Sequence, residues 1–129
     1  MNARLDAIGV VVSDMAKALD FYRLLELEVP PDAAGAPHVE VALPGGLRLM
    51  FDTEATIRSF HPGWEPPAAG GRVHLAFLFP DAAGVDAAYA AVVGAGHAGE
   101  LPPFDAPWGQ RYAVVRDPDG NGVDLFAAL

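Results

Sequence analysis

The sequence predicts an α+β fold: two tandem βαβββ modules forming a curved mixed sheet around a cavity. Three observations carry this. Two apolar, strand-like runs each lead into an Asp-capped helical stripe, and the caps, Asp14 and Asp81, stand 67 residues apart. At that offset Ala7 aligns with His74 and Tyr22 with Tyr89. Later, Pro44-Gly45-Gly46 and Pro118-Asp119-Gly120 are turns 74 residues apart, and this offset aligns Met50 with Asp124.

The first module spans residues 1–54. Residues 5–13 are β-branched and apolar and read as a buried strand. Ser13-Asp14 caps a helix whose apolar stripe is Met15, Ala18, Leu19, Tyr22 and Leu25. The helix stops before Pro30-Pro31. Residues 28–32 read as a short edge strand, where proline's missing donor is tolerated. Residues 38–43 alternate polar and apolar, Pro44-Gly45-Gly46 turns, and residues 47–53 return. A linker over residues 55–71 holds Phe60, Trp64 and several prolines, with room for one helical turn at 54–59.

The second module, residues 72–129, repeats the order. Residues 72–79 form an apolar strand, and Pro80-Asp81 caps a helix striped by Val85, Ala88, Tyr89 and Val92. Gly94 and Gly96 end that helix. Residues 100–108 are extended but proline-rich and suit an edge bending over a pocket mouth. Residues 110–116 form a strand. Asp117-Pro118-Asp119-Gly120-Asn121-Gly122 is then a tight turn into the apolar strand Val123-Asp124-Leu125-Phe126. A carboxylate inside that strand must be paired, hydrated or bound.

Strand alternation sorts the faces. Val123, Leu125, Leu75, Phe77 and Phe79 face the helix. Asp124, Phe126, His74, Ala76 and Leu78 face the cavity. In the matching strand the cavity residues are Arg48, Met50 and Asp52. With hairpins in register about their turns, Gln110, Tyr112 and Val114 join Asp124, while His38, Glu40 and Ala42 join Met50. A slip of one residue inverts every one of these assignments.

Composition bounds the function. The 129 residues are 52% hydrophobic and 19% charged, which suits one globular domain. A net charge of −9 speaks against nucleic acid, which wants a basic stripe, and suits solubility and a cationic ligand. The absence of cysteine excludes disulfides, thiolate metal sites and cysteine nucleophiles. No apolar run approaches the ~20 residues of a membrane span. The first residues lack an apolar signal core, so the expected location is the cytoplasm. Neither glycine turn has the context of a phosphate loop, and no Gly-x-Ser-x-Gly motif occurs.

Several residues together resemble the vicinal oxygen chelate superfamily of glyoxalases, bleomycin-resistance proteins and dioxygenases. They are Ser13-Asp14 with Leu19-Asp20-Phe21-Tyr22, then His74 ahead of Asp81, then Asp117-Pro118-Asp119-Gly120-Asn121 leading to Asp124-Leu125-Phe126. The resemblance covers essentially the whole chain. Metal-dependent members place one ligand on each first and each last strand, which here are Ala7, Met50, His74 and Asp124. The resemblance therefore implies metal ligation by His74 and Asp124 at most. Ala7 offers no donor, and Met50 offers a thioether that suits Mg, Mn, Fe or Ni poorly. Glu40 or His38 could add a third ligand. Otherwise His74 and Asp124 hydrogen-bond to each other or contact an organic ligand directly.

The resemblance also implies a function. Metal-free relatives hold planar drugs against aromatic groove residues. The expected platform is Trp108, Trp64, Phe104 and Tyr112, bordered by Met50, Glu40, Arg48, His74 and Asp124, with Asp105 and Asp52 as further acidic groups. The leading expectation is a protein that binds or sequesters a drug or metabolite, as in antibiotic resistance, without a cofactor. The alternative is a metal-dependent lyase, isomerase or dioxygenase using His74 and Asp124. A regulatory binding module without turnover is a third. A homodimer, a small organic ligand and no nucleic-acid or membrane partner complete the expectation.

Overall fold

Asp14 and Asp81 begin two helices in the same way. The Asp14 side chain accepts from the Lys17 amide and that of Asp81 from the Gly84 amide. The computed structural model describes residues 2–68 and 71–129, so residues 69–70 of the expected linker lie outside the described residues. The chain divides into two units, Met1–Pro66 and Pro67–Leu129.

The first unit runs β1 (Ala7–Val12), α1 (Met15–Leu24), β2 (His38–Ala42), β3 (Arg48–Thr53) and α2 (Glu54–Phe60). Its sheet is mixed, in the order β1-β3-β2, with β1 parallel and β2 antiparallel to β3. The predicted stripe of α1 is buried, and Phe21 joins it. Tyr22 packs edge-on against Phe21 at 4.9 Å and tilted against Phe51 at 5.2 Å. Val12, Val39, Val41, Leu49 and Phe51 are the buried strand positions.

The edge strand expected at 28–32 does not form. Glu26 takes a positive φ of 64° just past α1, which turns the chain. Pro30 and Pro31 lack the donors for a ladder. The Pro30 carbonyl instead accepts from Arg23 at 3.0 Å. The first sheet therefore has three strands, and a shallow groove of about 400 Å³ lies between residues 30–36 and β2. The expected helical turn at 54–59 is α2, capped by the Thr53 hydroxyl.

The second unit runs β4 (Leu75–Leu78), α3 (Ala82–Gly94), β5 (Gly99–Ala106), β6 (Gln110–Arg116) and β7 (Gly122–Ala128). Its mixed sheet has the order β4-β7-β6-β5, with β4 parallel to β7 and the other neighbours antiparallel. Val85, Ala88 and Val92 of α3 are buried, as are Ala113, Val115, Val123, Leu125 and Ala127 of the sheet. Alternation thus gives one strand face to this core and leaves the other for Tyr112, Asp124 and Phe126.

The pairing repeats between units. Met50 sits between Gly9 and Glu40, and Asp124 between Ala76 and Val114. Those neighbours are related by the same offsets of 67 and 74 residues that the sequence shows. Among the described residues no helix is long and apolar enough to cross a membrane.

Candidate functional site

The site is built outward from the closing turn. Asp117 is buried, and its carboxylate accepts from the amides of Asp119 and Asn121 at 3.0 and 2.9 Å and from the Asn121 side chain at 2.8 Å. Gly120 alone in this turn takes a positive φ, 82°. Arg116 donates to the Gly120 carbonyl at 2.6 Å and pairs with Glu100. So anchored, the hairpin sets Val114 opposite Asp124 and Tyr112 opposite Phe126.

Asp124 is engaged through both oxygens. Oδ1 lies 2.7 Å from His74 Nδ1, and Oδ2 accepts from the Tyr112 hydroxyl at 2.5 Å. Burial, then the hydrogen bond to Asp124 and its charge, push the Tyr112 phenol up to about 12, so it remains a donor. The Asp124 side chain is 16% exposed and that of His74 38%.

Gly122 makes room for the imidazole. A Cβ placed there would meet His74 Nε2 first, then Cε1 at 2.6 Å and Cδ2 at 2.7 Å. The Nε2 side of the imidazole therefore packs over Gly122. Nε2 makes no hydrogen bond among the described residues.

Beside this trio stands an aromatic cluster. Trp108, in the turn between β5 and β6, meets Tyr112 edge-on at 5.4 Å, and Phe104 meets Trp108 and Tyr112 at 6.3 and 6.2 Å. Gln110 fixes the indole through Nε1 at 2.8 Å. Trp108 nevertheless remains 59% exposed, and Leu78, two places along β4 from Asp124's partner Ala76, is 71% exposed.

The first unit carries a different face. His38 Nδ1 lies 2.6 Å from Asp52 and Nε2 2.8 Å from Glu40. Arg48 continues the chain to Glu40 at 2.5 Å and to Asp6 at 2.8 Å. A carboxylate at each ring nitrogen requires both to donate, which is the imidazolium. Glu40 and then Asp52 accordingly raise the His38 pKa above 6.5. His38 and then Arg48 hold Glu40 below its ordinary 4.5.

These placements sort the sequence candidates. His74, Tyr112, Asp124, Phe104 and Trp108 gather in the second unit. Glu40, Arg48 and Met50 share a sheet face of the first, with His38 and Asp52. Trp64 belongs to the first unit, where the Arg58 guanidinium covers its ring at 5.4 Å. Asp105 is corrected: it pairs with Arg111, which also holds Asp86 of α3, so it lies on the helix side of the sheet. Sequence reasoning missed Asp6 and Gly122. Gly122 was visible only as half of an Asn-Gly turn.

A divalent metal does not fit these groups. Both Asp124 oxygens are committed to donors, leaving His74 Nε2 as the open ligand atom of the pair. Ala7 and Met50 bring no nitrogen or oxygen side-chain donor, and His38 has a carboxylate on each nitrogen rather than a shared centre. Among the described residues no three such groups converge.

Comparison with known proteins follows this geometry. No curated protein matches the chain. A glyoxalase/bleomycin resistance protein/dioxygenase family enzyme from Burkholderia phytofirmans PsJN is similar with a TM-score of 0.81 at 16% identity, over 98% of this chain and 100% of that one. A glyoxalase-related enzyme from Fulvimarina pelagi gives 0.79 at 18% identity, over 96% and 87%. A glyoxalase/bleomycin resistance protein from Albidiferax ferrireducens T118 gives 0.70 at 25% identity, over 96% and 98%. The family model of the Glyoxalase/Bleomycin resistance protein/Dioxygenase superfamily matches residues 4–125, and the chain, with its twice-used ladder of strands, belongs to that superfamily.

Proposed function

We propose that this protein binds a small, flat organic molecule, a drug or metabolite, without a complete metal site. The observation that carries the reading is the exposed Trp108 held edge-on to Tyr112 and Phe104 beside the His74–Asp124–Tyr112 trio. Aromatic faces supply apolar area, and a few fixed polar groups supply orientation. The net charge of −9 favours neutral or cationic ligands over anions. Sequestration needs nothing further, and resistance to a toxic compound is one use of it. The proposal places the protein in the cytoplasm as a homodimer.

The test is tryptophan fluorescence against a panel of planar compounds. Quenching should be lost in Trp108→Ala and kept in Trp64→Phe. Quenching that follows Trp64 would overturn the reading. The alternative, a metal-dependent lyase, isomerase or dioxygenase, draws on His74, just before β4, bonded to Asp124 of β7. Stoichiometric Mn, Fe, Ni or Zn in protein purified without chelator, and lost in Asp124→Ala, would establish that alternative instead. Light scattering at the monomer mass would remove the dimer.

A further inference from the structure

The two residues that stand where metal ligands are expected are joined to each other, and the way they are joined fixes what remains available. Ionised Asp124 can only accept. Its Oδ1 therefore takes a proton from His74 Nδ1, and its Oδ2 takes one from Tyr112. A neutral imidazole with Nδ1 protonated presents a lone pair at Nε2. That nitrogen has no partner among the described residues, and it is the ring atom nearest the place that a Cβ on Gly122 would take, so only a residue as small as glycine leaves it accessible there. The ring is 38% exposed, so a ligand can reach it. Trp108, Tyr112 and Phe104 stand on the same sheet.

We propose that His74 Nε2 is a hydrogen-bond acceptor for the ligand, so that this site selects flat aromatic rings carrying an N–H or O–H donor at their edge. Asp124 is a positioning residue that sets the imidazole tautomer, and Tyr112 in turn fixes Asp124. The raised Tyr112 pKa fits, because a phenol that keeps its proton keeps Asp124 anchored. The inference rests on the reading of this face as a platform for planar ligands.

Three probes separate the ideas: indole, 3-methylindole and 1-methylindole. All have the same ring, and only the last lacks the N–H. Equilibrium dialysis with the full chain should give indole and 3-methylindole about three- to tenfold tighter binding than 1-methylindole, the range of one net hydrogen bond. His74→Ala should erase that preference, so that the variant binds all three probes alike. Asp124→Asn should erase it too. Tyr112 would hold the amide oxygen, turning the amide NH₂ toward Nδ1 and forcing the proton onto Nε2. Nitrogen-resolved NMR of the histidine rings should show the neutral form of His74 as the Nδ1–H tautomer, assigned by its loss in His74→Ala.

Equal binding of all three probes would overturn the acceptor role and leave the platform standing. A preference that survives both variants, or an Nε2–H tautomer in the unaltered protein, would also overturn it. Binding of none would overturn the platform and the acceptor together.

Discussion

Replacing Gly122 by alanine adds one carbon atom where the structure has no room for it. The new Cβ would meet His74 Nε2 first and stand 2.6–2.7 Å from Cε1 and Cδ2, closer than real side-chain atoms approach. The imidazole is the movable partner, because the Gly122 backbone is held in the ladder opposite Arg116. Moving the ring breaks its bond to the Asp124 carboxylate, a loss of about 1.5–3 kcal/mol for a charge-assisted pair. Alanine restores about 0.5–1 kcal/mol that glycine forfeits in a strand. The net expectation is a loss of about 1–2 kcal/mol, a roughly 5–30-fold shift toward the unfolded state. His74→Ala alone should cost about 1.5–3 kcal/mol, because it removes that same bond to Asp124. The double variant should match His74→Ala or exceed it, since removing the ring removes the clash. Urea unfolding in a Trp64→Phe background reads this through Trp108, within the unit that carries the change. A Gly122→Ala variant as stable as its parent, or a double variant equal to the sum of the singles, would refute the packing argument.

Further outcomes follow from the same geometry. In an alkaline spectrophotometric titration one phenol should ionise near pH 12, and Tyr112→Phe should remove that late step. Because the folded value lies above the ordinary 10, the associated stability is full below pH 10 and fades as pH rises toward about 12. Asp117→Ala removes three hydrogen bonds to a buried carboxylate and should cost about 2–4 kcal/mol in urea unfolding, with Asp117→Asn milder. On the first unit, the raised pKa of His38 stabilises fully below 6.5 and is lost as pH climbs through the folded value. The lowered pKa of Glu40 stabilises above 4.5 and is lost as pH falls through its folded value. The network is thus complete between those limits, and His38→Gln should flatten the alkaline fall in melting temperature.

The sequence exposed those parts of the fold that depend on local periodicity. Both Asp caps, both helical stripes and the division of strand faces follow from spacing alone, and the register of β6 against β7 follows from the turn between them. Residues 28–32 failed because a proline pair is compatible with an edge strand and with no strand. What decides is Glu26 adopting a positive φ, which no pattern announces. The site was legible as residue types on a face. Its wiring was not, because hydrogen bonds such as Tyr112 to Asp124 depend on reach across a sheet. Asp105 illustrates the cost of a one-residue parity: beside Phe104 in sequence, it points to α3 and Arg111 instead.

The two edges of the second sheet are unequal. β5 carries Pro102 and Pro103 and is irregular in its pairing between Gly99 and Leu101 and between Leu101 and Phe104. Such an edge is a poor template for another strand. β4 is regular and proline-free, with exposed Leu78 at its end and exposed Val73 just before it. A strand approaching the β5 edge would find its ladder interrupted at Pro102 and Pro103, so extension of the sheet on that side is disfavoured.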